Sequence, residues 1–160
     1  MRGHGKALLL ATVLGLAGCA APPEPDPVRQ ALKSLSERAA GRVMDIVELQ
    51  PPNDQVLLLP PPEVDSELEI DSERFLESLT RALLGATPGP QVLDWHDDMR
   101  GDSSPHQWRL MSRLSSTGPR LRLSDRDLLP YRLTLTLQRP DADAAIWQTE
   151  IEGAFDASAL

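Results

Sequence analysis

The sequence predicts an α+β fold: a small mixed sheet with helices packed on it, ending in an antiparallel hairpin. Three patterns indicate this fold. A continuous apolar run at 55–59, bounded by turn-forming residues, is typical of a strand buried on both faces. An amphipathic segment follows at 72–84, and two alternating segments joined by a short turn close the chain. A mixed sheet with helices on one or both faces satisfies this order.

The first strand and the helix after it have clear limits. The prolines at 60–62 end the strand, because proline has no N–H to donate to a ladder. An acidic loop at 62–70 leads to Asp71 or Ser72, either of which caps the helix. Gly85 stands after the last turn as a stop signal. The apolar stripe of the helix comprises Phe75, Leu76, Leu79 and Leu83.

The middle of the chain carries weaker signals. Residues 91–95 predict a second strand. Residues 105–114 predict a shorter helix, because large apolar side chains recur there at near-helical spacing. Residues 119–129 fit no single pattern, although leucines and arginines alternate there as in a strand. The inward-facing residues of the shorter helix are Trp108, Met111 and Leu114.

The strongest β signal lies at the end of the chain. Strict alternation at 131–137 and 147–155, joined by a polar turn at 140–143, predicts a hairpin with one apolar face. Leu58 and Leu135 are predicted to belong to the core. The residues predicted on the inner face of the hairpin are Tyr131, Leu133, Leu135, Leu137, Trp147, Thr149, Ile151, Gly153 and Phe155.

The N-terminus has the features of a secretory signal peptide. Two basic residues precede an apolar run at 7–17, which is too short to span a bilayer stably. The run ends in Leu16-Ala17-Gly18-Cys19, which resembles the lipobox of bacterial lipoproteins. The resemblance implies that residues 1–18 are removed and that Cys19 carries diacylglycerol and an N-acyl chain. The alternatives are an ordinary signal peptide with a chance cysteine, or a buried apolar helix.

Localisation and domain limits follow from this start. Inner-membrane lipoproteins commonly carry aspartate just after the lipidated cysteine, and Ala20 stands there in this chain. By analogy, we expect the periplasmic face of the outer membrane. Residues 1–18 form the signal peptide. Residues 19–54 contain the lipidated cysteine, a proline-rich tether and a stalk helix interrupted at Gly41, and residues 55–160 form the globular domain.

Composition restricts the partners. The chain has 16 basic and 24 acidic residues, a formal charge of −8. This balance argues against nucleic acid, which proteins bind by neutralising phosphates with Lys and Arg. The negative charge of the chain is compatible with binding to a basic surface on a partner protein. Cys19 is the single cysteine, so the chain can form no internal disulfide.

Two segments of the domain resemble the LpoB-type lipoproteins that activate bifunctional penicillin-binding proteins. These are VLLLPPP at 56–62 and YRLTLTLQRPDADAAIWQTEIEGAF at 131–155, which contains the pair Ile146-Trp147 in its last strand. The resemblance implies an outer-membrane lipoprotein whose protein partner is a penicillin-binding protein, a peptidoglycan synthase.

No motif for catalysis is present. The sequence lacks a nucleophile elbow, a phosphate-binding glycine loop, paired metal-binding cysteines and a His-Glu-x-x-His helix. We therefore expect neither an enzyme nor a cofactor beyond the lipid. An alternative function is metal or small-ligand binding by a polar loop, although a solvated loop explains the same residues. That loop contains Asp94, His96, Asp97, Asp98, Asp102 and His106.

The three tryptophans are candidates for partner binding. Trp95, Trp108 and Trp147 are the kind of large side chain enriched in binding hot spots. Packing in the core is the alternative for each, since all three lie on or beside apolar patterns. The leading hypothesis is thus a non-catalytic envelope lipoprotein that binds another protein.

Overall fold

The computed structural model describes residues 27–96 and 104–157. These residues form two α-helices and a mixed seven-stranded sheet, which confirms the predicted α+β fold. Short 3-10 turns at Val47–Leu49, Pro52–Asp54 and Ser66–Leu68 connect some of the elements. The helices and strands are α1 (Pro27–Met44), β1 (Val56–Leu59), β2 (Glu63–Val64), α2 (Ser72–Leu84), β3 (Gln91–Asp94), β4 (Gln107–Ser116), β5 (Leu121–Arg122), β6 (Asp127–Gln138) and β7 (Ala145–Asp156).

The sheet runs in the order β3-β1-β4-β6-β7. Strand β1 is parallel to both of its neighbours, whereas β4, β6 and β7 are successively antiparallel. The short strand β2 pairs with β4 beyond the end of β1, and β5 pairs with β6 beyond the end of β4. Among residues 27–96 and 104–157, strands β3 and β7 therefore form the two edges of the sheet.

Both helices pack on one face of the sheet, here called the covered face. Alternate residues of β6 point into this core, and Tyr131, Leu133, Leu135 and Leu137 are all buried there, as predicted. Ile151 and Phe155 of β7 join them. The predicted terminal hairpin is confirmed, with β6 and β7 paired along almost their full lengths. We call the opposite face of the sheet the open face.

Helix α2 matches its prediction closely. It begins at Ser72, and the carboxylate of Asp71 accepts a hydrogen bond of 2.9 Å from the backbone N–H of Arg74. This cap satisfies a donor that the first turn leaves without a helical partner. The helix ends before Gly85, whose φ of −76° is right-handed, so this glycine does not act as a left-handed cap. Its buried residues are Phe75, Leu79 and Leu83, and Leu76 is half-buried.

Helix α1 overturns two predictions. It continues without interruption through Gly41, and it is no stalk, because its inner side belongs to the same core as α2 and the sheet. The boundary drawn at residue 55 is therefore wrong, and the domain includes α1. Small side chains allow close contact between the helices, where the Ser36 hydroxyl donates a 3.0 Å hydrogen bond to that of Ser78. The buried residues of α1 are Leu32, Leu35, Ser36, Ala39, Ala40 and Val43.

The helix predicted at 105–114 is wrong as well, because this segment forms most of β4. Trp108 and Leu114 fit both periods, but Leu110 and Ser112 are also buried, which is the period of a strand. The strand fills the gap between β1 and β6 and pairs with both. The ambiguous segment 119–129 contains β5 and the start of β6, and the acidic loop 62–70 contains β2.

Candidate functional site

Strand β7 forms a long edge of the sheet. It has 12 residues, and within the described residues it pairs with β6 alone. Its open-face residues Gln148, Glu150 and Glu152 are exposed. An edge strand presents unpaired N–H and C=O groups that can pair with a strand of another chain, and edge strands of soluble proteins are usually short. The β7 edge is therefore a surface competent for strand addition.

Charges on the open face surround this edge. The guanidinium of Arg132 on β6 lies 2.7 Å from the carboxylate of Glu152 and 3.4 Å from that of Glu150. The hydrogen bond to Glu152 and the charges of both glutamates raise the pKa of Arg132 above its ordinary value. One cation thus faces two carboxylates, and this part of the open face carries a net negative charge.

A second surface is the interhelical groove, which runs between the outer sides of α1 and α2. It has a volume of about 440 Å³. Small residues contribute to it from both helices, so neither helix fills the space between them. Its floor is formed by buried and half-buried apolar residues, and the exposed Gly41 lines the groove as well; the floor residues are Val28, Leu32, Ala40, Met44 and Ala82.

Charged residues line the rim of the interhelical groove. Two ion pairs bind rim residues of the same helix to each other: Lys33 with Glu37 at 3.5 Å, and Arg81 with Glu77 at 2.5 Å. Both pairs are well exposed and contribute little to stability. The complete set of charged lining residues is Arg29, Lys33, Glu37, Arg74, Glu77 and Arg81.

A buried arginine closes one end of the open face. Arg109 is 6 % exposed, and its guanidinium lies 3.1 Å from the carboxylate of Asp143 and 5.6 Å from the ring centre of Trp95. Gln138 on β6 lies opposite Arg109. When its amide oxygen faces the guanidinium, that oxygen accepts a 2.7 Å hydrogen bond from Arg109 Nε. The ion pair with Asp143 fastens the turn between β6 and β7 to the sheet. Leu58, predicted as core, is buried at this end beside Arg109 in register.

The predicted tryptophan anchors occupy different environments. Trp95 and Trp108 are each 4 % exposed, so packing accounts for both. The indole N–H of Trp108 donates a 2.9 Å hydrogen bond to Gln55, and the Arg139 guanidinium lies 3.6 Å above its ring. Trp147 on β7 is half-buried at the margin of the core and keeps some surface for a partner. Partner binding by these residues stays a prediction.

The metal-binding prediction falls largely on residues that the structure does not describe. Asp97, Asp98 and Asp102 lie outside the described residues, as does Cys19. Asp94, His96 and His106 are exposed. In 27–96 and 104–157, no three His, Cys, Asp or Glu side chains group together so that they could hold a metal ion. Neither helix there is long and apolar enough to cross a membrane.

Comparisons with known proteins give structural similarity at very low sequence identity. No known protein family and no curated protein matches the sequence. The structure is similar to XCC0632 of Xanthomonas campestris, a DUF330 protein, with 12 % identity over 67 % of this chain and 70 % of that one, at a TM-score of 0.45. It is also similar to lipoprotein GNA1162 of Neisseria meningitidis, with 10 % identity over 65 % of this chain and 85 % of that one, at a TM-score of 0.43. A third similar structure is that of a neuraminyllactose-binding hemagglutinin homologue of Helicobacter pylori, with 12 % identity over 65 % of this chain and 65 % of that one, at a TM-score of 0.40. No residue role transfers at such identity.

Proposed function

We propose that this chain is a non-catalytic lipoprotein, held by Cys19 on the periplasmic face of the outer membrane, that binds an envelope protein through the β7 edge. The observation that carries the proposal is the 12-residue strand that pairs on one side only within the described residues. A partner strand added there gains main-chain hydrogen bonds along its length. The Leu16-to-Cys19 motif supports the anchor, and the missing catalytic motifs support a binding role.

The charge of the edge favours a basic partner strand. Glu150 and Glu152 share the single cation of Arg132, and the whole chain has a formal charge of −8. Opposite charges across a strand pair stabilise it, and like charges destabilise it. Two copies of β7 paired antiparallel would bring both glutamate rows together. The edge therefore favours a basic partner over a second copy of this chain.

The position of α1 limits where the partner can be. Because α1 belongs to the domain, only residues 19–26 separate the anchor from the folded part. Eight fully extended residues reach at most about 30 Å. The partner must approach the outer membrane to within that reach plus the width of the domain. Following the resemblance noted above, the candidate partner is a peptidoglycan synthase of the penicillin-binding class with a basic strand or segment that extends this far.

Cross-linking in intact envelopes tests the proposal. A photoreactive amino acid replaces Gln148 on the exposed side of β7, and captured proteins are identified by mass spectrometry. We expect one dominant partner, and we expect Glu150→Lys with Glu152→Lys to abolish its capture. The matched control reverses two exposed glutamates elsewhere, Glu48→Lys with Glu67→Lys, and retains capture.

Two results would overturn the proposal. Capture of no protein, or capture that survives the reversal at the β7 edge, removes strand addition as the binding mode. A partner other than a penicillin-binding protein keeps the binding role and rejects that identity. The intact mass of the mature chain tests the anchor, because a chain that begins before Cys19 or lacks added acyl mass is not a lipoprotein.

A further inference from the structure

The interhelical groove has open space at a position that a helix normally fills. A Cβ atom added at Gly41 would meet no atom within 4 Å other than its immediate helical neighbours. Glycine in a helix interior costs stability relative to alanine, about 1 kcal/mol, so nothing in the helix itself favours it here. The missing side chain of Gly41 leaves open space in the groove, next to the lining residues Leu32 and Met44.

The rim of the groove differs in charge from the rest of the chain. Four basic residues (Arg29, Lys33, Arg74 and Arg81) and two acidic residues (Glu37 and Glu77) line it. The rim thus has a basic excess of two in a chain whose formal charge is −8. An apolar floor below a basic rim complements a molecule with a hydrocarbon tail and an anionic head.

We propose that the interhelical groove binds a single-chain anionic lipid of the fatty-acid class. The acyl chain lies along the floor past Gly41, and the carboxylate meets the basic rim at Arg29 and Arg74. The volume of about 440 Å³ is within the range of small-molecule sites. This function goes beyond protein binding at the β7 edge, because it uses the helical layer of the molecule and not the sheet.

The position of the groove in the chain fits a lipid ligand. Val28 and Arg29 line it and stand at the start of α1, immediately after residues 19–26. If Cys19 is lipidated, this end of the groove is the one tied closest to the membrane, within about 30 Å by chain length. The other occupants that this geometry admits are an acyl chain on Cys19 itself and an amphipathic helix of a partner.

Displacement of a fluorescent fatty acid by palmitate tests the proposal on the full-length chain with Cys19→Ser, which cannot carry its own lipid. We expect saturable binding at one site. We expect Gly41→Leu to weaken palmitate at least about tenfold, because the new side chain enters the free space. The matched control is Gly118→Leu, at a turn glycine where an added Cβ also meets nothing within 4 Å, and it leaves binding unchanged.

The head-group contribution is tested with a neutral ligand. Arg29→Gln with Arg74→Gln weakens palmitate several-fold and leaves hexadecanol, an uncharged alcohol of the same chain length, unaffected. Thermal unfolding of each variant checks that the fold survives. No palmitate binding, or binding that Gly41→Leu leaves intact, overturns the proposal. Displacement of the fluorescent fatty acid by an amphipathic helical peptide but not by palmitate also overturns it. So does a loss of fluorescent fatty-acid binding on lipidation of Cys19 when palmitate displaces nothing from the Cys19→Ser chain. Equal loss of palmitate and hexadecanol rejects the charged rim as the head-group site.

Discussion

The two faces of the sheet are stabilised in different ways. On the covered face, alternate residues of β6 and β7 bury leucine and aromatic side chains against two helices. On the open face, the same strands carry threonines, glutamates and Arg132, whose contacts are exposed ion pairs. Burial of apolar area stabilises the first face by kilocalories per side chain, whereas exposed pairs contribute little. The open face can therefore serve binding at small cost to the fold.

The largest expected effect on the covered face comes from Leu35→Ala in α1. Leu35 is fully buried, so its truncation should lower the free energy of unfolding by about 2–5 kcal/mol. Urea denaturation measures this. The matched control is Leu84→Ala at the end of α2, where the side chain is 59 % exposed and the change should stay within about 0.5 kcal/mol. Equal, small effects of both would mean that α1 is a detached stalk after all.

An intermediate effect is expected where the hairpin meets α1. Gly153 lies opposite Tyr131, and an added Cβ would stand 2.5 Å from the tyrosine hydroxyl. That hydroxyl accepts a 2.5 Å hydrogen bond from Arg38, and the ring stacks on Phe155 with centres 4.2 Å apart. Gly153→Ala should therefore displace Tyr131 and destabilise the domain by about 1–3 kcal/mol.

Two variants identify the cause of that loss. Tyr131→Phe combined with Gly153→Ala removes the closest contact, and we expect thermal unfolding to recover part of the loss. Gly118→Ala, at a glycine with open space around its Cβ position, should leave the melting temperature near that of the wild type. A harmless Gly153→Ala would show that the Tyr131 packing is adaptable and contributes less to the covered face than the geometry indicates.

The smallest effect is expected on the open face. Arg132→Gln removes both ion pairs with Glu150 and Glu152, yet the Arg132 side chain is 43 % exposed. The urea midpoint should stay within experimental error of the wild type and respond little to added salt. Capture of a basic partner at the β7 edge should increase instead, because Glu150 and Glu152 lose their shared cation. A large loss of stability would erase the proposed difference between the faces.

The sequence alone predicted the elements whose signals are local. The cap at Asp71 and the apolar stripe of α2 lie within one helix, and the alternation at 131–137 lies within one strand. For these elements, periodicity, capping and proline placement agree with one another, so no distant residue had to decide between alternatives. The predicted sheet, the terminal hairpin and the burial of Leu135 follow from the same local signals.

Only the tertiary structure decided the elements whose pattern was ambiguous or weak. Residues 107–116 form a strand because β1 and β6 both offer an edge to pair with, and such pairings are remote in sequence. Helix α1 joins the core because Ala39, Ala40 and Ser36 let it approach its neighbours closely, a fit that hydrophobicity alone does not reveal. The interhelical groove and the edge position of β7 depend on how separate elements meet, so the sequence carried no direct signal for either.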